Sequence, residues 1–101
     1  MQVSFLDAAD DDLADAFGYY DKRHPGLGVR FSAQVERAIE RIVRHPEAWS
    51  KLSRRTRRCL INVFPYGVIY QIRDDDILVI AIMHLHQDPR TWRSRLPRGQ
   101  R

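Results

Sequence analysis

The hydrophobic period changes once along this chain, near residue 50, and that change limits the folds open to it. Up to Arg44 the apolar residues recur every three to four positions, which places them on one face of a helix. From Arg58 to His84 they alternate or run together in short β-branched stretches, the pattern of strands. An all-helical bundle and an all-β sandwich are both excluded. The reading is α+β, with helices first and a sheet after them.

The first helix is read from Asp7, which has the residue type of an N-cap. Asp10, Asp11 and Asp12 lie in the first turn, where negative charge suits the helix dipole. Leu6, Ala9, Leu13, Ala16, Phe17 and Tyr20 form its apolar stripe. His24-Pro25-Gly26-Leu27-Gly28 breaks it, because proline restricts the residue before it and glycine tolerates left-handed turns. A second stripe follows in Phe31, Val35, Ala38, Ile39, Ile42 and Val43, and Pro46 ends that helix. So short a connection predicts an antiparallel helical hairpin.

Three strands are expected at Arg58–Phe64, Val68–Arg73 and Ile77–His84, separated by Pro65-Tyr66-Gly67 and Asp74-Asp75-Asp76. The unbroken apolar run Ile77–Met83 reads as the central strand, and Val3-Ser4-Phe5 as a short edge strand. The expected architecture is a twisted antiparallel sheet with the helical hairpin on one face. In the short C-terminal segment opened by Asp88-Pro89, Trp92 and Leu96 pin the end, and residues 97–101 form a flexible basic tail. The 101 residues suit a single domain. The lone Cys59 forms no internal disulfide and suits a reducing compartment, and Ile77–Met83 is too short to cross a membrane. The acidic first dozen residues do not read as a signal peptide, so a cytoplasmic protein is expected.

The formal charge of +4 hides an asymmetry. Residues 1–50 carry −3 and residues 51–101 carry +7, gathered in Lys51–Arg58 and Arg90–Arg101. Fields of this kind concentrate polyanions and acidic proteins alike. In an extended backbone Arg55 and Arg57 share one side and Arg54 and Arg58 the other, so the four cannot point one way. His84 and His86, two apart at a strand end, fall on one face, where with Arg90 and Arg93 they suit phosphate contact. No ligand spacing accompanies them or Cys59, so neither a metal nor another cofactor is expected. Tyr66, Trp49 and Trp92 read first as packing groups, with ligand contact as the other option.

Five elements in order carry a resemblance that runs from about Phe5 to Leu96. They are Tyr20 before Pro25-Gly26-Leu27-Gly28; Pro46 before Trp49; Phe64-Pro65-Tyr66-Gly67-Val68; His84 closing an apolar strand; and Asp88-Pro89 before Trp92. Together they resemble the ParE/RelE superfamily of type II toxin–antitoxin toxins. The resemblance implies a βααβββ toxin neutralised by a co-encoded antitoxin, acting in the cytoplasm on DNA gyrase or on ribosome-bound mRNA. Operator DNA would be met only through the antitoxin, and no membrane partner is implied.

The RNA-cutting branch of that superfamily uses Lys and Arg with a Tyr. Attack by a 2′-hydroxyl needs cations around the phosphorane and groups that move protons. Laid on that pattern, the chain keeps Arg58 but has Gly67 and His86 where arginines are expected. Trp92 stands in place of the tyrosine, and its indole N–H is no useful proton donor. Three readings follow. The first is a gyrase-binding, non-catalytic toxin whose antitoxin- or target-binding residues are Arg54, Arg55, Arg57, Arg58, Tyr66, Trp92 and Arg93. The second is a metal-independent, ribosome-dependent endoribonuclease with catalytic candidates Arg58, His84, His86 and Arg90. The third is an attenuated toxin that retains only antitoxin binding.

Overall fold

A computed structural model describes residues 1–101. Strand β1 (Val3–Phe5) leads into helices α1 (Asp7–Arg23) and α2 (Leu27–Arg44). Strands β2 (Ser50–Lys51), β3 (Thr56–Leu60), β4 (Tyr66–Arg73) and β5 (Asp76–His84) follow, then a short helix α3 (Arg90–Arg93) and a 3-10 turn at Arg98–Gln100. The five strands form one sheet in the order β1-β5-β4-β3-β2.

The expected α+β architecture is present, with the helical hairpin on one face of the sheet. Ala9 and Ala16 of α1 and Phe31, Val35, Ala38 and Ile42 of α2 are buried against Cys59, Val68, Tyr70, Ile77, Val79 and Ile82. Full burial of side chains the size of Phe31 or Ile42 contributes roughly 1.5–3 kcal/mol each. At the hairpin bend Gly26 has φ 90°, and the Asp21 carboxylate accepts its amide at 2.9 Å. Gly28 lets the helices close up, since a Cβ there would stand 2.8 Å from the Phe17 carbonyl oxygen.

Several expectations need correction. The sheet is mixed, because β1 pairs parallel with β5, Val3 opposite Ile77 and Phe5 opposite Val79. Short turns force antiparallel pairing within β2–β5, but the long helical connection leaves β1 free to run parallel. The central strand is β4, with β5 second in the order. Ile77–Met83 is nonetheless largely buried, because the helices cover one face and the C-terminal segment the other. The strand expected at Arg58–Phe64 starts and stops earlier, at Thr56–Leu60. Residues 61–65 form a turn in which Val63 takes φ 75° with its side chain 81% exposed, while Phe64 folds inward. Tyr66 and Gly67, expected in a break, begin β4.

At the start of α1, Leu6 rather than Asp7 occupies the cap position. No side chain caps the helix, and the Leu6 amide donates to the Val79 carbonyl at 2.9 Å. Asp7 serves instead as a first-turn charge. The residues expected as a loose tail are docked. The Gln100 carbonyl accepts from the buried Gln71 side chain, and Arg73 donates to Gln100 Oε1 at 2.9 Å.

Tyr70, fully buried at the centre of the sheet, donates its hydroxyl to the Pro46 carbonyl at 2.6 Å and so fastens the end of α2 to β4. Burial pushes its phenol up to about 12. A proton bound more tightly in the folded state stabilises fully below the unfolded value near 10, and that stabilisation is lost as pH rises toward 12. Alkaline titration followed at 295 nm should therefore show Tyr70 ionising only with loss of the fold. Tyr70→Phe should flatten the stability decline across this window, by on the order of 2 kcal/mol.

Candidate functional site

The face of the sheet opposite the helical hairpin carries a cavity that gathers four of the singled-out residues. Trp92 and Leu96 lie on that face against Ile69, Ile80, Ala81 and Met83. Asp88 and Pro89 turn the chain back toward the sheet, and Trp92 is its anchor at 2% exposure. Between α3 and strands β3–β5 a space of about 200 Å3 remains. Arg58, His84, Gln87, Trp92 and Arg93 line it around an apolar floor of Ile69 and Met83. No carboxylate is among its lining residues.

Arg58 reaches this space because β4 has no side chain in its way. It lies opposite Ile69 in the β3–β4 register, and its stem crosses Gly67, where an added Cβ would come within 2.7 Å of Arg58 Cγ. Its Nε is buried and has no hydrogen-bond partner. The chain's ion pairs lie elsewhere, at Arg90–Asp88 and Arg95–Asp12. Arg93 sits over the Trp92 ring, its guanidinium 5.2 Å from the centroid. The cavity is thus electropositive, half apolar and lacks an internal counter-ion.

Other sequence candidates are placed outside it. Arg90 is 89% exposed and held by Asp88 at 2.6 Å, an exposed pair in which the guanidinium keeps the carboxyl below its ordinary range. His86 lies in the turn beyond β5, its ring 5.3 Å from that of His84 at a 38° tilt, and its amide donates to His84 Nδ1 at 3.1 Å. Tyr66 belongs to the helix-side aromatic cluster with Tyr20 and Phe31, and at the end of the sheet its ring meets that of His84 edge-on, 5.3 Å between centroids. Its hydroxyl is pushed above the usual phenol range, chiefly by burial. Arg57 donates to the Glu47 and Trp49 carbonyls at 2.9 and 2.8 Å, which gives it a structural task. Arg54 and Arg55 are exposed and, with Lys51 and Arg57, line a shallow basic hollow beside β2. The residues Arg58, His84, Trp92 and Arg93 come together; Arg54, Arg55, Arg57, Tyr66, His86 and Arg90 stand around or away from them.

Sequence reasoning missed the pair that holds this face in place. Beside Ile80, the extra residue of a bulge between β4 and β5, Asp12 accepts the Ile82 amide at 3.0 Å and binds Arg95 through both oxygens, at 2.6 and 2.9 Å. Arg95 also donates to the Ile80 carbonyl at 3.0 Å. One ion pair therefore binds backbone groups of β5 at and just past the bulge, and joins α1 to the C-terminal segment. Asp12 read as one of several first-turn acids, and nothing in its spacing marked it out.

A family model described as the ParE toxin of the type II toxin-antitoxin system, parDE, matches residues 3–89. Two proteins named Toxin ParE2, from Mycobacterium tuberculosis strains CDC 1551 / Oshkosh and ATCC 25618 / H37Rv, are each 31% identical over 81 residues, which span 79% of this chain and 77% of theirs. A solved structure titled "Chromosomal ParDE TA system from P. aeruginosa" superposes with a TM-score of 0.73 over 83% of this chain and 95% of that one. At 14% identity it speaks for the fold alone.

Proposed function

Because the chain belongs to the ParE toxin family of type II toxin–antitoxin systems, we propose that it arrests growth by binding DNA gyrase and is neutralised by a co-encoded antitoxin. The observation that carries a binding reading over a catalytic one is the character of the cavity. It has cations and an apolar floor, but Trp92 is buried where the resemblance implies a tyrosine in the RNA-cutting branch, and Arg90 is engaged with Asp88 in solvent. A site without a second proton-moving group holds an anion better than it cuts one. The ribonuclease reading draws support only from Arg58 and His84 sharing one cavity.

Two assays on the purified protein test this. Inhibited supercoiling with trapped gyrase–DNA complexes and intact mRNA is the expected result. Codon-positioned cuts in ribosome-bound mRNA would replace the gyrase reading with the enzymatic one, and activity in neither assay would leave antitoxin binding as the remaining role.

The antitoxin should meet the basic face through acidic residues. Arg54→Glu, Arg55→Glu and Arg58→Glu combined should weaken the complex by about tenfold or more at low salt, since reversed charges slow association and repel an acidic partner. Titration calorimetry at two ionic strengths checks this, and an unchanged Kd at low salt would count against it.

A further inference from the structure

We infer that the cavity between α3 and strands β3–β5 is a receptor for a single carboxylate side chain, presented by an acidic, amphipathic peptide segment of a partner protein and paired by Arg58. The inference deepens the antitoxin proposal and rests on it for the origin of the partner. Its starting point is the unfinished state of Arg58, whose Nε is shielded from water with nothing to bond while its stem is fixed across Gly67. A buried guanidinium N–H without an acceptor carries a desolvation cost that an incoming acceptor offsets, and a charged one offsets it best. His84 and Arg93 line the same space and no acid does, so the chain has no anion of its own to offer there.

The surroundings choose the kind of anion. Leu52, Ile69, Met83 and Leu85 line the space, and Leu85 remains 39% exposed, an apolar lining fitted to the greasy face of a helix or extended peptide. A nucleic-acid strand would need aromatic faces on which bases stack. None is offered: the only aromatic residue of the lining besides His84 is Trp92, buried to 2% exposure, and Tyr66 packs within the helix-side cluster. An aliphatic stem ending in a carboxylate matches both floor and cation. A planar guanidinium also binds carboxylate through paired N–H groups, a geometry that lysine would not give.

The test uses the whole 15N-labelled protein and reads the Arg58 Nε–H resonance, assigned by its loss in Arg58→Met. The probes are acetyl-Leu-Glu-Leu-amide, the same peptide with Gln for Glu, inorganic phosphate and a dinucleoside monophosphate. The Glu peptide should shift the resonance saturably, with Kd near the millimolar range. The Gln peptide should bind about ten- to a hundredfold more weakly, the loss expected when a charge-assisted bond is removed. No response to the Glu peptide, equal binding of both peptides, or tighter binding of phosphate or the dinucleoside would overturn the inference. Arg58→Met preserves the stem over Gly67, so an unchanged thermal midpoint will show that the fold is intact. If the antitoxin neutralises Arg58→Met as fully as the parent chain, the inference falls and the toxin–antitoxin reading stands. If it neutralises neither chain while the Glu peptide still binds, the reverse holds.

Discussion

Asp12→Ala should lower stability by about 3 kcal/mol, a large share of the 5–15 kcal/mol that small domains possess. Three things fail together. Arg95 loses both of its carboxylate bonds while its side chain remains only 17% exposed, the Ile82 amide loses its acceptor, and α1 loses its tie to the C-terminal segment. Breaking one partner of a buried pair costs about 3–5 kcal/mol, and the slight exposure of both groups places this one at the lower end. The thermal midpoint should fall by roughly 12–20 °C for a chain of this size. Asp12→Asn keeps an oxygen for Ile82 and should lose about half as much. Adding Arg95→Met to Asp12→Ala should recover part of the loss, because the stranded charge is then gone; strictly additive losses would show that the two residues act separately.

The second large effect is expected at Phe31. Its ring is fully buried, 5.3 Å from Tyr20, 5.2 Å from Phe64 and 5.0 Å from Tyr66 between centroids, so one side chain joins both helices to the β3–β4 turn and β4. Phe31→Ala should cost about 3–5 kcal/mol through lost burial and the cavity left behind. Phe31→Leu keeps most of the volume and should cost closer to 1.5 kcal/mol. Urea unfolding of the two variants decides the matter. A loss below about 1 kcal/mol for the alanine variant would mean that the cluster collapses into the gap.

What could be read from the sequence was whatever rests on local periodicity. The α2 stripe appears in the structure with Phe31, Val35, Ala38 and Ile42 buried, and only Val43 turns toward water. The apolar run of β5 was legible for the same reason, as was Trp92 as an anchor. Features set by distant partners were not legible. A two-residue strand such as β2 has no period to detect, and the parallel partner of β1 lies more than seventy residues away. The bulge at Ile80 depends on the match between two strands, which neither strand states alone. The candidate site divides in the same way. Arg58, His84, Trp92 and Arg93 were named from residue type and position, but their meeting depends on the β3–β4–β5 register and on the Gly67 gap. The structural task of Arg57 was not legible, because the loop carbonyls that accept from it come from residues eight and ten positions earlier.

The pairing of β1 with β5 also sets a timetable for synthesis. Gln2 bonds Asp76 across 74 residues, and Val3 has no strand to join until Ile77 has been made. At about 5–20 residues per second, translation leaves the first strand waiting roughly 4–15 s, and so remote a closure is slow in itself. A nascent or prematurely stopped chain lacking the fifth strand therefore has no finished sheet on which to assemble its cationic face. The cationic surface of this protein therefore exists only near the end of its own translation, seconds after its first strand has been made.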